Sequence, residues 1–161
     1  MDDFTRFTWL YPFIYKSEAY SIFCKFKVFV ENQFNSSIKI FKTNNGWEYD
    51  KNEFQFLLST HGIHHQKSCP HTSPQNGVAE RKHRHIVETG LTLLSTASLP
   101  PHFWAHAFTT AVYLINRMPS VTTTHKSPFE LLYGHLPDYS NLKIFGCTAY
   151  PFLRPYNKNK L

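Results

Sequence analysis

The chain has 161 residues, room for one domain or for a domain with a fragment attached, and this excludes a multi-domain assembly. Hydrophobic residues at 42% and aromatics at 17% exclude disorder over the whole length. Seventeen Lys and Arg against eleven Asp and Glu give a net charge of +6, all of it carried after residue 66, which points to a polyanionic partner. Cys24, Cys69 and Cys147 form no Cys-x-x-Cys pair, so neither a disulfide framework nor a cysteine-rich zinc site is indicated and a reducing, intracellular setting fits best. No basic-then-apolar leader and no 18-residue apolar run appear.

In chain order, residues 4–15 are dense in aromatic and β-favouring side chains and predict paired strands, with Pro12 demoting the second to an edge. The aromatics Phe4, Trp9, Tyr11 and Phe13 are read as core rather than as stacking platforms for bases. Ser17 offers an N-cap. Ala19, Ile22, Phe23, Phe26, Phe29 and Val30 recur at helical spacing, which predicts an amphipathic helix with Lys25 and Lys27 outside, ended by Asn35-Ser36-Ser37. Residues 38–42 read as a strand that stops at the turn cluster Thr43-Asn44-Asn45-Gly46. A short helix around Phe54 to Leu58, a glycine cap at Gly62 and a strand over 63–67 follow. Residues 69–77, with two prolines and a glycine, predict a loop, and a long helix is expected from about Val78 to Ser95. Pro100-Pro101 sets up a further helix with a stripe of Trp104, Ala107, Phe108, Ala111, Val112, Leu114 and Ile115. After Pro119 the chain reads as loop, with two last strands over 142–145 and 148–152.

Alternating strands and helices favour an α/β layer architecture, in which sites form at the carboxyl ends of strands. Asn44 occupies such a place. Glu80 falls in the first turn of the long predicted helix, where a carboxylate suits the helix dipole, and 35 residues separate the two. The bland alternative for Glu80 is a surface pair with Arg84 four residues on. His61, His64, His65, Cys69 and His71 invite a zinc site, but His64 and His65 are adjacent on a predicted strand, point to opposite faces, and have no completing ligand pair. Cys69 lacks the base and orienter that a nucleophile needs.

The 35-residue spacing, flanked by Thr43-Asn44-Asn45-Gly46-Trp47-Glu48-Tyr49 and by Pro74-Gln75-Asn76-Gly77-Val78-Ala79-Glu80-Arg81-Lys82, resembles the catalytic core of copia-type retrotransposon integrases. The resemblance extends to Asp2-Asp3-Phe4-Thr5-Arg6-Phe7-Thr8-Trp9, Phe103-Trp104-Ala105, Leu114-Ile115-Asn116-Arg117, Ser127-Pro128-Phe129-Glu130 and Leu142-Lys143-Ile144-Phe145-Gly146-Cys147.

It implies a ribonuclease-H-like α/β fold, here truncated at the N-terminus, with a mixed sheet flanked by helices. A partial core would span 1–118, a connecting segment 119–141, and the truncated start of an SH3-like module 142–161. It also implies an Asp, Asp-35-Glu triad holding two Mg²⁺ or Mn²⁺ ions for phosphodiester hydrolysis and strand transfer, DNA ends and target DNA as partners, an integrase oligomer, and the nucleus as location.

Glu80 matches the triad glutamate, as catalytic residue and metal ligand, and Asn44 occupies the second aspartate's position. The first aspartate would lie upstream of Met1, since Asp2 and Asp3 match a non-catalytic pair. Trp47 stands where the family usually has a small glycine. Arg81, Lys82 and Arg84, with Gln75 and Asn76, are the candidate DNA contacts, a basic helix suiting phosphates. An asparagine cannot supply the charge that offsets two divalent ions, so the sequence predicts a chain inactive in this chemistry. A non-catalytic DNA- or integrase-binding remnant and a decayed fragment without function are the alternatives.

Overall fold

A computed structural model describes residues 1–44, 46–68 and 73–150, for 73–76 the backbone alone. The chain forms two compact units, one made of residues 9–85 and the other of residues 1–8 together with 86–161.

In the first unit, a 3-10 turn over Lys16–Glu18 leads into α1, Ala19–Phe34. The predicted cap at Ser17 is corrected: the Glu18 carboxylate reaches back and accepts the Tyr15 N–H at 3.1 Å. Phe23, Lys27 and Val30 line the buried face of α1, and Asn35, at φ 46°, ends it in the left-handed conformation that asparagine tolerates. Lys27 is not outside as its spacing suggested. Its ammonium donates to Glu31 one helical turn on, at 2.6 Å, while the other Glu31 oxygen accepts the Ile38 N–H at 3.1 Å. The Lys27 hydrogen bond leads in holding the Glu31 carboxyl below its usual range, so one side chain ties the helix to the chain entering the next strand.

That strand, β1, runs Ile40–Thr43 and pairs in parallel with β2, His64–Lys67, with Phe41 opposite His65 and Thr43 opposite Lys67. Parallel strands need a crossover, and α2, Asn52–Thr60, supplies it. Gly62, at φ 63°, makes the left-handed turn from α2 into β2, as its place after the helix predicted. The core of this unit is Phe23, Phe54, Leu58 and Ile63, with Phe41 and Tyr49 packed around them. The Phe41 ring stacks on Phe54 with centroids 5.6 Å apart.

The predicted strands over 4–15 do not form. Phe4 is 83% exposed, which corrects its reading as core, while Tyr11 and Phe13 are only partly covered, the Tyr11 ring lying 5.9 Å from that of Phe26. Trp9 does pack, its ring 5.3 Å from that of Phe26.

α3 runs Ser73–Thr96 and crosses from the first unit to the second at Ile86. It starts five residues earlier than the sequence suggested, so 73–77 is helical backbone rather than loop. Pro74 falls in its first turn, where a missing N–H costs nothing and the fixed φ suits the helix. The rest of the predicted loop, 69–72, lies outside the described residues.

In the second unit, α4 spans Trp104–Arg117 after a 3-10 turn at Pro101–Phe103, and buries Ala107, Ala111, Val112, Ile115 and Asn116. Trp104 of the predicted stripe stays about half exposed. The segment read as loop after Pro119 contains α5, Pro128–Tyr133, with the Ser127 hydroxyl accepting the Glu130 N–H at 3.1 Å and Gly134 closing it. Residues 142–150 form no strand, and 151–152 lie outside the described residues.

Candidate functional site

Asn44 directly follows β1, as predicted, and is exposed. Its Oδ1 accepts the Gly46 N–H at 3.2 Å, the local turn bond that Asn favours. A Cβ on Gly46 would lie 2.8 Å from the Glu48 carboxyl carbon and one of its oxygens, so a larger residue there would displace the acid. Glu48 Oε2 is buried and has no hydrogen-bond partner among the described residues. Trp47 opens a 3-10 turn over Trp47–Tyr49 and is 60% exposed, with the Lys51 ammonium 5.0 Å from its ring centroid. Tyr49 points inward, and burial, then Glu48, pushes its phenol up.

The turn's stems are joined through His65, which the sequence offered only as a zinc candidate, and through Gln55, which it did not single out. The Thr43 hydroxyl lies 2.8 Å from His65 Nε2, the Gln55 amide nitrogen 3.1 Å from His65 Nδ1, and the same nitrogen donates to the Tyr49 carbonyl at 2.8 Å. Burial leads in pushing the His65 imidazole below its usual range; Lys67 and His64 add to this and Asp50 opposes it. Lys67 is paired with Asp50. The sequence signal was faint: strand alternation turns His65 inward beside Phe41, but nothing in it named Gln55 as partner.

Glu80 is the eighth residue of α3 rather than part of its first turn, beyond the reach of the helix dipole expected to suit it. It is exposed, as are Arg81 and Arg84, while Lys82 is half-buried. The Arg81 guanidinium folds back along the helix toward Gly77, where an added Cβ would meet it at 3.1 Å. Gln75 and Asn76 lie on the first turn of α3, with their side chains outside the described residues. Among the described residues no three His, Cys, Asp or Glu side chains converge as a metal site. Of the zinc candidates, Cys69 and His71 lie outside the described residues; His64 is exposed and His65 turned inward.

The fold is that of retroviral integrase catalytic cores, of the ribonuclease-H-like class. It is similar to a chain of the simian T-cell lymphotropic virus intasome in complex with PP2A regulatory subunit B56 gamma, with TM-score 0.58 and 22% identity over 93% of this chain and 48% of that one. It is also similar to the HTLV-2 integrase catalytic core domain solved in complex with magnesium, with TM-score 0.52 and 19% identity over 71% of this chain and 68% of that one.

All 161 residues align with retrovirus-related Pol polyproteins: those of transposons RE1 and RE2 from Arabidopsis thaliana at 51% and 52% identity, and that of transposon TNT 1-94 from Nicotiana tabacum at 40%. The chain is an integrase-like segment related over its whole length to the Pol polyproteins of copia-type retrotransposons. It spans only 11–12% of the length of those relatives. No family model matches it. No helix among the described residues is long and apolar enough to cross a membrane.

Proposed function

We propose that this chain is an integrase-core segment that binds DNA and lacks the metal-dependent phosphodiester chemistry of its family. The observation that carries the reading is Asn44: an uncharged amide follows β1 where the family resemblance calls for aspartate, and its oxygen is already turned onto the Gly46 N–H. Two divalent ions held a few ångströms apart need several anionic oxygens to offset four positive charges. Glu80 supplies one carboxylate, and Asn44 supplies a carbonyl dipole. This donor set does not fit a pair of Mg²⁺ or Mn²⁺ ions, although the HTLV-2 core was solved with magnesium.

DNA binding does not depend on those ions. Arg81, Lys82 and Arg84 follow one another on α3, two of them exposed, in the half of the chain that carries all the net charge. Gln75 and Asn76 precede them on the first turn. Retroelement ends and target DNA are the proposed ligands, and an integrase oligomer is the proposed assembly, acting in the nucleus. On this reading the core spans 1–118, the connecting segment 119–141 and the start of an SH3-like module 142–161.

The test is duplex-DNA affinity against salt. Each phosphate contact contributes about 0.9 to the slope of log affinity against log salt, so replacing Arg81, Lys82 and Arg84 together by alanine lowers the slope by about 2 to 3. An unchanged slope would place the DNA contacts elsewhere. No binding at low salt even by the unaltered chain would favour the decayed fragment.

A further inference from the structure

We propose that His65 is a proton-sensitive latch between Thr43, at the end of β1, and the Trp47–Tyr49 turn. As a neutral ring with its hydrogen on Nε2, it joins Thr43 to Gln55 and, through Gln55, to the Tyr49 carbonyl; a proton arriving at Nδ1 breaks that chain.

The tautomer follows from the partners. A carbonyl oxygen only accepts, so the Gln55 group 2.8 Å from the Tyr49 oxygen is the NH₂, and the same nitrogen faces His65 Nδ1 at 3.1 Å. Nδ1 is therefore the acceptor and carries no hydrogen. Nε2 then bears it and donates to the Thr43 hydroxyl at 2.8 Å. A proton on Nδ1 would set N–H against N–H. If the Gln55 amide turned over to accept from Nδ1, its oxygen would face the Tyr49 oxygen instead. Protonation thus costs the Gln55 tie in either arrangement.

The geometry places the latch across both ends of one turn. Thr43 immediately precedes Asn44, and Tyr49 closes the 3-10 turn that Trp47 opens, so the two stems are held together through a ring that also stacks on Phe41 with centroids 5.8 Å apart. The charged surroundings favour the neutral ring. Lys67 and His64 on β2 oppose a second positive charge, while Asp50 favours one and is itself paired with Lys67. On the other elements packed there, Glu48 and Tyr49 belong to the 3-10 turn and Glu53 to the first turn of α2, whereas Lys42 lies on the opposite face of the strand pair by alternation.

The sign is fixed by which state binds the proton. The folded imidazole lies below its ordinary 6.5, so the unfolded chain takes the proton first on acidification. The latch is complete above that value and is lost as the pH falls through the lower folded one. DNA affinity sums the charge of the whole chain and does not report the latch. The turn itself does.

The experiment is a pH titration of the ¹⁵N-labelled full chain by NMR from about pH 8 to about pH 5, following the His65 ring nitrogens, the Gly46 amide and the Trp47 indole N–H. The expected result is an Nε2–H ring at the alkaline end, with the Gly46 and Trp47 signals shifting at the midpoint of the His65 ring. In His65→Gln, an amide can accept from Gln55 and donate to Thr43 but cannot take up the proton, and the shift in both reporters is lost. An Nδ1–H ring at the alkaline end overturns the proposal without any variant. So do reporters that stay still while His65 titrates, or that keep their transition in His65→Gln.

Discussion

Asn116 shows how much one side chain can organise. Its Oδ1 accepts the Thr8 N–H at 2.9 Å and its Nδ2 donates to the Thr8 carbonyl at 2.8 Å, so the amide takes the place of a neighbouring strand for that residue. Both residues are buried, so this one amide serves two backbone groups held away from water. Asn116→Leu keeps the size and removes both bonds. With each orphaned group costing roughly 1 to 3 kcal/mol, the variant is expected to lose about 2 to 4 kcal/mol of unfolding free energy in urea with an unchanged slope. A loss below about 0.5 kcal/mol would show that water or a shifted backbone replaces the amide. Charge acts at the same scale. Asn44 differs from aspartate by one oxygen for one amine, and its bond to the Gly46 N–H persists with either residue, so the turn survives the exchange while the negative charge does not.

Among the elements, α3 and α4 meet closely at one point. A Cβ built on Gly90 would lie 2.1 Å from Cδ1 of Phe108, so the glycine is required by the approach of that ring and not by backbone conformation. Alanine would otherwise favour the helix by about 0.8 to 1 kcal/mol. Displacing a packed ring costs about 1 to 3 kcal/mol. Gly90→Ala is therefore expected to lower the unfolding free energy by a net of about 1 kcal/mol, and with it the urea midpoint, and a raised midpoint would mean that Phe108 moves aside freely.

What the sequence disclosed follows from where each element's stability originates. α1, β1, α2, β2 and α4 carry their own periodicity and turn residues, and their existence was legible, although the Ser17 cap was not borne out. The strands expected over 4–15 failed because their alternation is only half of a strand's requirement; the ladder partner is a non-local fact, and here the Asn116 side chain serves Thr8 instead. α5 was missed although Ser127-Pro128-Phe129-Glu130 is a capping signal, because six residues offer too short a period to read. The long helix was begun at Val78 because Pro74 and Gly77 look like loop residues, whereas a proline in the first turn is compatible with helix. Of the candidate site, the order of Asn44 and Glu80 and the basic run on α3 were readable. His65, Gln55 and Glu48 were not, since their importance lies in contacts between elements.

For the whole molecule, the distribution of charge and the chemistry of two positions jointly define the account. Residues 1–66 carry seven basic and seven acidic side chains, so the excess of +6 belongs to the later part, where Arg81, Lys82 and Arg84 lie. Phosphate attraction is a summed, screened property and tolerates the loss of a catalytic group. Two-metal chemistry does not, because the ions repel each other unless several carboxylates lie between them. On the proposed reading the chain keeps the first capacity and lacks the second. The most direct measurement is a Mn²⁺ titration of the full chain, with free Mn²⁺ read by electron paramagnetic resonance, beside the Glu80→Gln variant. The account predicts no difference between the two chains that corresponds to a bound pair of ions. Two ions taken up by the unaltered chain and both lost with Glu80→Gln would contradict it.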